Sequence, residues 1–109
     1  MKFVLISRHT NGADAPERER EQNLKDMGRW MTVLKPEVAM PTRGGKSVTA
    51  SKVVDYAGDL GGVIIFEAES LDKAIALTRQ SPGLKYGFTH EVFPEVSLSQ
   101  AAATNVKGS

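Results

Sequence analysis

Two four-residue apolar runs, Phe3–Ile6 and Val63–Phe66, constrain this chain more than any other feature it carries. Successive side chains of an extended strand point to opposite faces, so Phe3 and Leu5 share one face while Val4 and Ile6 share the other. A strand with one wet face alternates apolar and polar residues. These runs do not alternate, and each reads as a strand covered on both sides. A further strand is predicted over Phe88-Thr89-His90-Glu91-Val92-Phe93, with Phe88, His90 and Val92 on one face and Pro94 closing it.

Helical spacing falls between these strands. Asp14 and Glu17 fit the D-x-x-E form of a helix start, and Pro16 is tolerated in a first turn whose N–H groups lack intrahelical partners. Leu24, Met27, Met31 and Leu34 then form one stripe flanked by Trp30, which reads foremost as a core aromatic, until Lys35-Pro36 ends the helix. Ser70 caps a second helix in which Leu71, Ala74, Ile75 and Thr78 share a face, and Ser81-Pro82-Gly83 stops it. One or two short strands are expected between Val38 and Asp59, with Gly44-Gly45 as a turn.

The resulting order, strand–helix–strand–strand–helix–strand, predicts an α+β fold, a ferredoxin-like βαββαβ sandwich. Both helices of that layout lie on one face of the sheet, and no third helix is available for the other. A second copy packed sheet against sheet supplies the missing cover, so a homodimer is expected. Residues 1–96 make up this one domain. The stretch 97–109 has no aromatics and no strong period, and reads as a mobile tail.

Composition excludes several functions. Fourteen Lys and Arg against thirteen Asp and Glu leave a net charge of +1, too little to favour nucleic acid as a partner. With no cysteine, thiol catalysis, disulfide scaffolds and cysteine zinc sites are ruled out. No apolar run approaches the roughly twenty residues that span a bilayer, and none follows Lys2 that would serve as a signal-peptide core; a cytoplasmic protein without a membrane partner is expected. Gly58, Gly61 and Gly62 match neither phosphate-binding glycine pattern, and no serine sits in G-x-S-x-G. No cofactor is implied.

Candidate chemistry gathers at the strand ends. His9, at the exit of the first strand, is placed to move a proton near neutral pH. Arg8 beside it offers a fork of N–H donors to an anion. Asp55, Tyr56 and Asp59 precede Gly61-Gly62, where a carboxylate is able to orient an imidazole and ordinary turn chemistry is the competing explanation. His90, between Phe88 and Val92, faces a core or a cavity, and first and last strands that pair antiparallel bring it toward His9. The two histidines lack any spacing that marks a metal site, and none is assigned.

Four segments together resemble the YCII-related domain, also called the DGPF domain: Lys2-Phe3-Val4-Leu5-Ile6, Leu60-Gly61-Gly62, Glu67-Ala68-Glu69-Ser70-Leu71-Asp72-Lys73-Ala74, and Tyr86 to Pro94. The resemblance covers residues 1–96 and implies a ferredoxin-like dimeric α/β barrel. It departs at Val54-Asp55-Tyr56-Ala57-Gly58-Asp59, which is shortened and lacks the Gly-Pro of the namesake motif. Members of the YciI-like branch resemble one another in a His–Asp dyad with the histidine on the first helix; no histidine lies between Pro16 and Pro36 here.

The expectation drawn from all of this is a homodimer binding a small anionic organic ligand near Arg8, His9, Asp55, Tyr56 and His90. The enzymatic version is a cofactor-independent lyase or isomerase, in which His9 moves a proton and Asp59 orients it. The rival is a non-catalytic binding or dimerisation module.

Overall fold

In the computed structural model, which describes residues 1–106, the elements run β1 (Lys2–Arg8), α1 (Arg20–Leu34), β2 (Val38–Pro41), β3 (Lys46–Val48), β4 (Val53–Asp55), β5 (Leu60–Glu67), α2 (Leu71–Thr78), β6 (Thr89–Pro94) and α3 (Leu98–Val106). Four strands form one antiparallel sheet in the order β2-β5-β1-β6, so the two apolar runs of the sequence lie side by side at its centre. Among the described residues strands β3 and β4 pair only with each other, as a hairpin inserted between β2 and β5.

The register explains the core. Phe3 pairs with Phe66 and Leu5 with Ile64, which places all four on the face that meets the helices. Phe3, Leu5 and Phe66 are fully buried there, together with Trp30 and Leu34 of α1 and Ala74 of α2. Each large apolar side chain removed from water in this way contributes about 1.5–3 kcal/mol. On the opposite face Val4, Ile6, Val63 and Ile65 are only half-buried, and Met40 and Phe93 are 54% and 48% exposed. Within one chain, therefore, only one side of the two-sided strands is packed.

The helices differ from expectation in their burying faces. Leu24, assigned to the core stripe of α1, is 74% exposed. The bulk of Trp30 is the reason: with Trp30 and Leu34 buried and Met27 and Met31 packed against them, the inward face is turned toward Trp30 and away from Leu24. The start also shifts. Asp14 accepts from the N–H of Ala15 at 2.8 Å and does not cap α1, which follows a 3-10 turn over Glu17–Glu19. At the other end Lys35 is left-handed (φ 50°), and its N–H reaches the Met31 carbonyl before Pro36.

Ser70 caps α2 as expected, its Oγ accepting from the N–H of Lys73 at 3.2 Å. Leu71 and Ile75 are nevertheless exposed, because α2 sits on the sheet through the smaller Ala74 and Thr78. The buried Thr78 hydroxyl is satisfied by donating to the Ala74 carbonyl at 2.8 Å. Helix α3 occupies Leu98–Val106, within the stretch read as a mobile tail. The local signal is a capping box: Ser97 Oγ accepts from the Gln100 N–H at 3.1 Å, and Gln100 Oε1 accepts from the Ser97 N–H at 2.9 Å. Residues 107–109 of that stretch lie outside the described residues. Among the described residues no helix is long and apolar enough to cross a membrane.

Candidate ligand pocket

Ser7 continues the helix-facing row of Phe3 and Leu5, and its register partners are Gly62 on β5 and His90 on β6. Past Ser7 the pairing with β5 slips, so that Arg8 stands opposite Leu60 and Gly61 is the extra residue of a bulge. His9 follows at the strand exit. Its N–H donates to the Asp59 carbonyl at 2.8 Å, and its ring lies over Gly61, where any Cβ would overlap the imidazole. On another side Phe88 packs against it, ring centroids 4.3 Å apart. Among the described residues neither ring nitrogen of His9 has a hydrogen-bond partner.

His90 is held at both nitrogens. Nδ1 is 3.0 Å from the Thr89 carbonyl oxygen and Nε2 is 2.7 Å from Ser81 Oγ. A carbonyl only accepts, so Nδ1 carries the hydrogen and Nε2 accepts from the serine hydroxyl. The imidazole stacks on Trp30, whose indole N–H donates to the Leu77 carbonyl at 2.9 Å. Burial pushes the His90 pKa below the ordinary histidine value, and the Thr89 hydrogen bond opposes that shift.

These residues surround a cavity of about 310 Å³ between α1 and the sheet. Met27, Trp30, Met31 and Phe88 form apolar walls, Gly62 and Ile64 belong to the sheet floor, and Ser7, His9, Asn23, Ser81 and His90 supply the polar groups. The Asn23 Oδ1 is buried without a hydrogen-bond partner among the described residues. The volume is at the small end of ligand sites, suited to a one-ring molecule.

His9 and His90, read from the sequence as able to approach each other, do line the same cavity. The remaining candidates are placed elsewhere. Arg8 projects to the opposite face of the sheet, its Nε donating to Glu91 at 2.6 Å and its Nη1 to Asp59 at 3.0 Å. Two carboxylates thus neutralise the guanidinium and raise its pKa further, leaving it committed where a free anion-binding group was expected. The Asp59 carboxylate, expected on the imidazole, is held by Arg8; only the Asp59 backbone carbonyl reaches His9. Asp55 ends β4 and pairs with Lys46 across the hairpin. The Tyr56 hydroxyl accepts from the Leu60 N–H at 3.1 Å, which makes it a turn residue. Tyr56 and Asp59 line a second, more open hollow of about 970 Å³ with Arg43 and Lys46, and this hollow shares His9, Pro41 and Gly61 with the first. Among the described residues no group of three or more His, Asp and Glu is arranged to hold a metal ion.

Ser81 and Asn23 are among the pocket residues that the sequence did not yield. Ser81-Pro82-Gly83 carries only the signature of a helix stop, and Asn23 is one polar residue in the wholly polar stretch from Glu17 to Asn23. Neither had a distinguishing signal.

A family model described as the YCII-related domain matches residues 1–94. No curated protein matches the chain. Among solved structures, the 5-chloro-2-hydroxyhydroquinone dehydrochlorinase of Burkholderia phenoliruptrix, in complex with 2,5-dihydroxybenzoquinone, is similar over 92% of this chain and 98% of its own, with 24% identity and a TM-score of 0.56.

Proposed function

The chain belongs to the YCII-related domain family, and on that premise we propose that it binds a compact one-ring organic molecule in the cavity under α1 and moves a proton on it as a cofactor-independent lyase or isomerase. The working unit in this reading is a cytoplasmic homodimer, two ferredoxin-like sheets packed face to face as a dimeric α/β barrel. The observation that carries the reading is the convergence of His9, Ser81 and His90 with an unpartnered Asn23 oxygen on one apolar, ligand-sized hollow.

The histidines divide the roles. His90 has both nitrogens engaged and is kept neutral by burial, so it shapes the wall. His9, whose ring nitrogens have no hydrogen-bond partner among the described residues, lies at the edge of the cavity and is the base. Gly61 and Phe88 fix where its ring lies, and Asp59 acts on it through the backbone. The dihydroxyquinone held by the structural neighbour agrees in size with such a ligand.

Resorcinol in D2O supplies the test, because abstraction of a ring proton through its keto tautomer exchanges hydrogen for deuterium and is followed by NMR. The folded chain accelerates the exchange, and His9→Ala returns it to the buffer rate. Equal rates in the two proteins remove His9 from any proton transfer.

The second reading is a non-catalytic binding or dimerisation module. It is favoured by one observation: the carboxylate that would raise the basicity of His9 is paired with Arg8. Resorcinol binding without accelerated exchange selects it.

A further inference from the structure

We infer that the pocket selects a neutral ring carrying two hydroxyl donors and discriminates against carboxylates, an inference that rests on the reading of this cavity as a ligand site. Two buried polar atoms of its wall, Ser81 Oγ and Asn23 Oδ1, are left only to accept. Thr89 holds the hydrogen of His90 on Nδ1, so the Ser81 hydroxyl must give its own hydrogen to Nε2. What Ser81 then has left for a ligand is lone pairs. Asn23 Oδ1, buried and without a hydrogen-bond partner among the described residues, is a second acceptor in the same cavity.

An acceptor left dry and unpaired is destabilising, and a ligand that brings an O–H recovers the loss. Two such acceptors favour a ligand with two donors. Capping those donors as methyl ethers keeps the ring and its contact with Trp30 and Phe88 but leaves both acceptors unmatched. A carboxylate fares worse. At these two atoms it brings lone pairs against lone pairs, and beyond the uncharged Ser7 hydroxyl and the His9 ring at the edge no Lys or Arg lines the cavity among the described residues to offset its charge. Arg8, the nearest candidate in sequence, is on the other face of the sheet between Glu91 and Asp59. The selection is therefore the reverse of the anionic preference that Arg8-His9 suggested in the sequence.

Calorimetric titration of the full chain with resorcinol, 1,3-dimethoxybenzene and benzoate tests this. Resorcinol is expected to bind at least about tenfold more tightly than the ether, the effect of two recovered hydrogen bonds, with benzoate weaker than resorcinol. Asn23→Leu removes one acceptor and is expected to cut the preference for resorcinol over the ether at least about threefold, with circular dichroism unchanged. If the ether binds as well as the diol, or benzoate binds better, the ligand site stands and the donor rule falls. If none of the three binds, the cavity is not a site for such rings and both readings fall.

Discussion

The His90 imidazole lies flat on the Trp30 indole, with centroids 5.9 Å apart and planes 4° from parallel, while its two nitrogens are tied to Thr89 and Ser81. This ties β6, α1 and the segment after α2 together through one neutral ring. Protonation adds charge to a desolvated site and removes the lone pair that accepts from Ser81.

The stability of the fold therefore depends on pH in a defined direction. The His90 pKa is depressed in the folded state, so the unfolded chain binds more protons between the ordinary value near 6.5 and the folded value. The contribution is fully present above 6.5 and is lost as the pH falls through the folded pKa. Urea unfolding at pH 7.5 and pH 5 is expected to show the decrease, and His90→Gln to reduce it. Identical pH dependence in the two proteins would show that His90 is not the titrating group.

Core and helix surface separate sharply in α1 and β1. Leu5→Ala, at a fully buried position beside Ile64, is expected to cost about 2–5 kcal/mol of unfolding free energy. Leu24→Ala, at a mostly exposed position, is expected to change it by no more than about 0.5 kcal/mol. Denaturant titration of both variants distinguishes this arrangement from the one read off the helical spacing, in which the two changes would be comparable.

Gly61 sets the position of His9. Gly61→Ala introduces a methyl into the space of the imidazole and is expected to drive the ring off Phe88. The His9 side-chain protons then lose the ring-current shift of that contact in the NMR spectrum. Unchanged His9 resonances would mean that the bulge is not what holds the ring.

The uncovered face of the sheet is the expected homodimer contact. Light scattering is expected to give twice the 11.8 kDa protomer mass, and Ile6→Glu to return the protomer by placing an unpaired charge in the contact. A wild-type protein that runs as a single protomer at micromolar concentration contradicts the assignment.

The two-sided runs made the central strands legible, since Phe3–Ile6 and Val63–Phe66 leave no other reading, and these strands pair directly as β1 and β5. The Ser70 cap and the Pro36 stop were legible for similarly local reasons. What escaped depended on distant partners. Nothing in the spacing of α1 says that Trp30 outweighs Leu24, and nothing local to Asp59 shows that Arg8, 51 positions away, takes its carboxylate. His9 and His90 were visible as rare titratable residues, the first at a strand exit and the second within a strand. Ser81 and Asn23 acquire meaning only once β6 and α1 are brought together over the same cavity. The α3 capping box was present in the letters at Ser97 and Gln100, but the absence of an apolar period obscured it.

The most direct measurement is the amide and indole NMR spectrum of the chain titrated with resorcinol. If the cavity under α1 is the ligand site, the Trp30 indole N–H and the backbone signals of His9, Gly61, Ser81 and His90 move together and saturate. Shifts confined to Arg43, Lys46 and Tyr56 around the open hollow, or no shifts at millimolar ligand, would contradict it.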